Sequence, residues 1–371
     1  MNKLKFIDRM AQGKISRRDM LRASAAFGVG VVAFPRLAAA EALTVMEWAG
    51  YDAPEYCKPY LTKYGDPPSY SIFATEEDAL QKVVGGFAAD LMHPCNYSVG
   101  RFVEAKLTRP IDVTKLSNWK DLFPSLQTAA GVIQDGEVVM APADWGNSSI
   151  AYRPDLVEPD YAANESWSIF TDDRYAGKVA MSDSEVGVQI CGLMMGYPPS
   201  EAFVMEGEKL AATKPMVEKM VKNSRFLWND ATEINQALAS GEIVAAYAWN
   251  DTIKNLTNEG IKIAYAKPKE GYFTWYCGIT MLNSGKADLA AAYDFVDAWL
   301  SPETGKYLIE ASGYGHSNVK SFELADKSAV GAMGFTDPVE HMKSAILFPP
   351  LGGSSLAAQI KLWEDVKALK Q

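Results

Sequence analysis

Histidine is scarce in this chain: there are three, His93, His316 and His341, widely spaced. They read as isolated core or surface residues, and with no His or Cys cluster at ligand spacing the sequence supplies no metal site. The four cysteines, Cys57, Cys95, Cys191 and Cys277, form no C-x-x-C pair, which argues against a thioredoxin-type motif. Four cysteines allow three complete pairings, and spacing does not choose among them or against free thiols. Serine and cysteine nucleophile motifs and a nucleotide fingerprint are missing, so no catalytic residue and no cofactor is expected. Past the amino terminus, no apolar run is long enough to span a bilayer. Basic charge is also sparse. Residues 1–40 hold 8 of the 36 basic and 2 of the 46 acidic residues, which leaves 28 against 44 and a net of −16. That balance argues against nucleic acid or anionic lipid as a partner and is compatible with a cationic one.

What is present begins with an address. Ser16-Arg17-Arg18-Asp19-Met20-Leu21 is a twin-arginine pattern, followed by a weakly apolar stretch from Ala23 to Phe34 and by Ala38-Ala39-Ala40 as a cleavage site. Residues 1–40 are therefore expected to be an export signal, with the mature protein periplasmic from about Glu41. The remaining stretch, about 330 residues, is long enough for two domains.

Along that stretch, apolar runs alternate with helical spacing. Ala42–Trp48, Tyr70–Ala74 and Ala88–His93 read as strands, and Thr75-Glu76-Glu77-Asp78 reads as a helix N-cap followed by first-turn acids. This rhythm means βαβ units and an α/β fold with a mostly parallel sheet. Gly146, among polar residues between two extended runs, suits a crossover between domains. Further strands are expected at Tyr175–Met181, Ser224–Trp228 and Tyr272–Ile279. Helices are expected from Asp288 to Leu300 and at the carboxyl end, where Ile360, Trp363 and Val366 share a face.

The stretch Gly241 to Asp251 organises the rest. An apolar run with turn signals on both sides reads as a buried parallel strand, and it stops at Trp249, Asn250 and Asp251. In open α/β sheets, ligands meet the carboxyl ends of strands. Trp249 and Asp251 then stand where a cation is held, by a ring face and by a carboxylate. A core Trp followed by a capping residue accounts for the same pattern. Trp48 with Tyr51, and Tyr97, come at or just past two other strand ends.

The mature chain resembles the periplasmic spermidine/putrescine-binding proteins of ABC importers. The resemblance rests on Glu47-Trp48-Ala49-Gly50-Tyr51, Asp90 to Tyr97, Trp145-Gly146, Gly241-Glu242 with Trp249-Asn250, Trp275 after Gly271-Tyr272-Phe273, and Gly313-Tyr314. It implies a two-lobe periplasmic-binding-protein fold with hinge crossovers and a central ligand cleft. Residues 41–146 plus 278–318 would form one lobe, and 147–277 plus 319–371 the other. It also implies aromatic walls of Trp48, Tyr51, Tyr97, Trp249, Trp275 and Tyr314. The family's amine-binding acids fall on Ser184, Gly187 and Cys277, and a serine contact falls on Cys95. Glu185 and Asp251 are the substitute acids, with Asp183 behind them, because a buried ammonium needs an anion.

The expected function is capture of a small polyamine-like cation by a monomeric protein, followed by delivery to an ABC permease at the inner membrane. A quaternary ammonium would need mainly ring faces. An ω-amino acid would need a cation such as Arg225 or Arg153. A ferric-ion binder, or an exported redox enzyme using Cys95 and Cys277, are the readings from other classes.

Overall fold

The computed structural model describes residues 42–369 except 74, 334–336, 345, 351 and 352. The twin-arginine pattern and cleavage site lie outside the described residues. The principal elements in chain order are strands β1 (Thr44–Trp48) and β2 (Ser69–Phe73), helix α1 (Glu76–Val84), and strands β3 (Leu91–Met92) and β4 (Ala141–Tyr152). Strand β5 (Val179–Ser182), helices α2 (Val186–Met194) and α3 (Gly207–Asn223), strand β6 (Ser224–Trp228) and helix α4 (Ala231–Ser240) follow. Next come β7 (Ala245–Trp249), α5 (Asn250–Asn258), β8 (Phe273–Leu282), α6 (Leu289–Trp299), α7 (Pro302–Ser312), β9 (Gly315–His316), β10 (Ile346–Leu347) and α8 (Gly353–Ala368).

One sheet joins most strands, in the order β2-β1-β3-β8-β4-β7-β5-β6. Its flanks are parallel, β1 with β2 and β3 on one side and β5 with β6 and β7 on the other. These are the βαβ units that the strand–helix rhythm implies. The centre is antiparallel, where β4 and β8 pair from Ser148 opposite Phe273 to Ala141 opposite Ile279. Both central strands are buried along their whole length. Their register shifts between Cys277 and Gly278. Gly278 must be glycine there, because a Cβ would press into the backbone of Ala141 and Pro142.

Gly146 lies inside β4, and the residue is small because the Trp275 indole lies where its Cβ would be. One expectation is corrected. On α8, Trp363 and Val366 are buried but Ile360 is exposed. The third inward residue is Gln359, whose Nε2 donates to Phe203 O at 3.0 Å. Helix α8 packs on α2 and α3, and that contact turns its inner face by one residue from the apolar pattern.

Candidate ligand-binding site

Strand β1 ends at Trp48, whose Nε1 donates to His93 O at 2.8 Å and whose ring packs on Phe73 at 4.5 Å. The chain turns at Gly50, with φ of 89°, and brings Tyr51 back over the sheet. The Tyr51 hydroxyl donates to Asp144 Oδ2 at 2.9 Å, and its ring packs near Tyr56 and Trp299. Asp144 Oδ1 lies 2.9 Å from His93 Nε2, and His93 Nδ1 lies 2.8 Å from Glu47 Oε1. Burial alone would lower the His93 pKa, but carboxylates on both ring nitrogens override it and hold it up to about 10. His93 is therefore tied to two carboxylates and is not an isolated core histidine. Burial raises the Glu47 pKa in the same network, against the pull of His93.

On the other side of the sheet centre, β7 delivers Trp249 to the N-cap of α5, and Asp251 falls in that helix's first turn. The Asn250 side chain ties the turn to β4 by accepting the Asn147 N–H at 2.6 Å. Trp249 is half-buried and meets Trp228 edge to face at 5.2 Å. Asp251 has one buried carboxylate oxygen, Oδ1, with no hydrogen-bond partner. Burial raises its pKa, and the neighbouring Tyr314 hydroxyl partly offsets that. Tyr314 packs edge to face on Trp275 at 5.0 Å, and its hydroxyl is electrostatically coupled to Asp144. Tyr51, Trp275 and Tyr314, at 9%, 9% and 8% exposure, thus enclose one region with Asp144 and Asp251. The Trp275 Nε1 is buried there without a partner.

A second acidic group lies around Tyr97. Its hydroxyl is coupled to Glu76, Tyr247 and Glu185. Glu185 occupies the N-cap of α2 and makes no side-chain capping bond there. Burial raises its pKa. Ser184 hydrogen-bonds its hydroxyl with Ser182 at 2.9 Å. Asp183 is turned away, held by Lys367 Nζ and Trp363 Nε1, each at 2.9 Å. Gly187 has no room for an acid, because the Trp363 ring fills the place of its Cβ.

Cys95 and Cys277 form a disulfide, while Cys57 and Cys191 are buried free thiols. This decides among the open pairings. It also corrects Cys95 and Cys277 as thiols facing a ligand or a substrate, since neither sulfur is available as a thiol. Arg225 is engaged by Glu242 at 3.0 Å, and Arg153 by Asp155 at 2.8 Å. Neither is left for a ligand carboxylate. Among the described residues, no three His, Cys, Asp or Glu side chains converge as metal ligands. A surface hollow is lined by Ile72, Phe73, Asp78, Gln81 and Lys82.

Residues 73–333 match the family described as bacterial extracellular solute-binding protein. The chain belongs to that family. This solute-binding protein is 24% identical over 345 residues to the putrescine-binding periplasmic protein SpuD of Pseudomonas aeruginosa, covering 88% of this chain and 92% of that one. It superposes on a putative spermidine/putrescine ABC transporter protein from Listeria monocytogenes with a TM-score of 0.76 at 22% identity, covering 88% and 99%. It also superposes on MotA from A. tumefaciens B6, solved in complex with glucopine, with a TM-score of 0.70 at 15% identity, covering 88% and 99%. The two-lobe periplasmic-binding-protein fold is thereby shared, and the chain is a solute-binding protein. No helix of the described residues is long and apolar enough to cross a membrane.

Sequence reasoning missed three groups in this solute-binding protein. Glu76 looked like a first-turn acid of α1, and Thr75 does cap that helix by accepting the Asp78 N–H at 3.2 Å. Yet Glu76 is buried, and it accepts the Cys95 N–H and the Ser98 hydroxyl. The rule that singled out Trp48 also reaches Glu76, which follows the carboxyl end of β2. His93 and Asp144 left no such signal, because their charge coupling crosses from β3 to β4.

Proposed function

We propose that the protein captures a small polyamine-like cation of the putrescine/spermidine class in the periplasm and presents it unchanged to an ABC permease at the inner membrane. The observation that carries this reading is the buried, unpartnered Asp251 Oδ1 beside Tyr314 and Trp275. A buried carboxylate left without a cation costs several kcal/mol, roughly, and an ammonium group repays that cost. Glu185 and Glu76, around Tyr97, supply a second acidic end, so a ligand with two charged termini satisfies both. Trp48, Tyr51, Tyr97, Trp249, Trp275 and Tyr314 wall the methylene chain between them, and Ser184 lies next to Glu185.

The role of the protein is binding without catalysis, in a monomer exported by its twin-arginine signal. The lobes divide at β4 and β8 and close around the solute by hinge motion. Contacts from both lobes stabilise the closed form. The acids around the rings, with Arg153 and Arg225 already paired, favour a diamine over an ω-amino acid. A thermal-shift screen of diamines, polyamines, betaines and ω-amino acids tests the reading through the linkage of binding to folding. Stabilisation by putrescine or spermidine supports it, and stabilisation by an ω-amino acid alone rejects it.

A further inference from the structure

We infer that His93 is a positioning residue that commits the Tyr51 hydroxyl to accept hydrogen bonds from the solute, so that the site favours ammonium groups bearing N–H over quaternary ammonium. The inference rests on the amine reading above and narrows it.

The argument is one of hydrogen-bond direction. A carboxylate accepts and does not donate. Asp144 Oδ2 lies 2.9 Å from the Tyr51 hydroxyl, so the single phenol proton is spent on Asp144. The lone pairs of the same oxygen remain for another partner. Asp144 Oδ1 is 2.9 Å from His93 Nε2, which donates to it. Glu47 Oε1 accepts the Trp48 N–H at 2.9 Å and faces His93 Nδ1 at 2.8 Å. Whichever of His93 and Glu47 holds the proton between them, the Nε2–H still points to Asp144. Asp144 thus accepts from both sides, from His93 at Oδ1 and from Tyr51 at Oδ2.

His316 shows that this is not a general property of the buried histidines. Its Nε2 donates to Trp299 O at 2.8 Å and its Nδ1 accepts the Asn318 N–H at 3.1 Å. Burial pushes its pKa down to about 4, so it stays neutral. His93 holds Asp144 Oδ1 through its Nε2–H, which leaves Oδ2 placed as the acceptor of the Tyr51 hydroxyl. His93 is itself fully buried, at 0% exposure against 9% for Tyr51, which leaves the phenol as the end of this chain of bonds open to a solute. A protonated amine donates to the phenol oxygen, whereas a trimethylammonium group offers no donor and leaves that buried acceptor unsatisfied.

The test is calorimetric titration of the mature protein with putrescine and with its fully N-methylated, bis-quaternary analogue. Putrescine is expected to bind at least roughly 100-fold more tightly. Tyr51→Phe should weaken putrescine by about 10-fold and leave the analogue almost unchanged. His93→Gln, checked for folding by circular dichroism, should lower the ratio between the two ligands. If that variant does not fold, the wild-type ratio and Tyr51→Phe decide. Equal affinity for both ligands, or equal losses for both in Tyr51→Phe, overturns the role of His93 while leaving a cation site in place. Binding of neither ligand overturns the amine reading and this inference with it.

Discussion

Glu76 Oε1 accepts the backbone N–H of Cys95 at 2.6 Å. This bond ties the start of α1 to the loop that carries both the disulfide and Tyr97. It places a buried carboxyl, held by the Cys95 N–H and the Ser98 hydroxyl, next to the ring wall of the site.

Burial pushes the Glu76 pKa from 4.5 up to about 7, against the pull of its hydrogen bonds. A carboxyl with a raised native pKa holds its proton more tightly folded than unfolded. Its contribution to stability therefore falls as pH rises from about 4.5 to about 7, by an amount on the order of 3 kcal/mol. Urea unfolding of the ligand-free protein should give lower stability at the upper end of that window, and Glu76→Gln should flatten the dependence. An unchanged slope in the variant would remove Glu76 as its source.

Binding should run the other way. Burial raises the pKa of both Asp251 and Glu185, and an ammonium ligand needs them ionised. Affinity for putrescine should therefore rise as pH increases above the ordinary carboxylate range, with proton release on binding. Calorimetry in two buffers of different ionisation heat measures that release, and uptake of protons would contradict it.

The cysteine assignment is directly countable. Cys57 and Cys191 are buried, and Cys95 and Cys277 are joined. A thiol reagent should find no reactive thiol in the native oxidised protein and two per chain in denaturant. Reduction should cost about 2–4 kcal/mol of stability. Four thiols in denaturant without reductant would rule out the bridge.

Gly187 lies against the Trp363 ring. Gly187→Glu should not create a second amine anchor. It should destabilise the protein by roughly 1–3 kcal/mol through overpacking, read as a lower urea midpoint with putrescine affinity no higher than wild type. Tighter putrescine binding in this variant would show that the ring yields.

Much of the fold was legible because it follows periodicity. The apolar run before Trp249 and the strand–helix rhythm from Thr44 to Met92 both announce the parallel flanks of the sheet. Tyr51, Tyr97, Asp251 and Tyr314 are candidates by the strand-end rule and by the family resemblance. The rest depends on partners distant in sequence. Cys95 and Cys277 are separated by 182 positions, and spacing cannot pair them. His93 looked like a lone histidine because Glu47 and Asp144 come from other strands. Glu76 was hidden by its second role at a helix start. Gln359 replaces Ile360 in the core because helix packing, rather than hydropathy, decides the inner face of α8.

The most direct measurement is calorimetric titration of the mature protein with putrescine, repeated on Asp251→Asn. The account predicts one saturable site per chain in the wild type. In the variant, affinity should fall roughly 10- to 100-fold, about 1.4–2.8 kcal/mol, while the stability of the ligand-free protein is unchanged or higher, because an unpaired buried charge has been removed. Equal affinity in the two proteins, or no saturable heat with putrescine in the wild type, would contradict it.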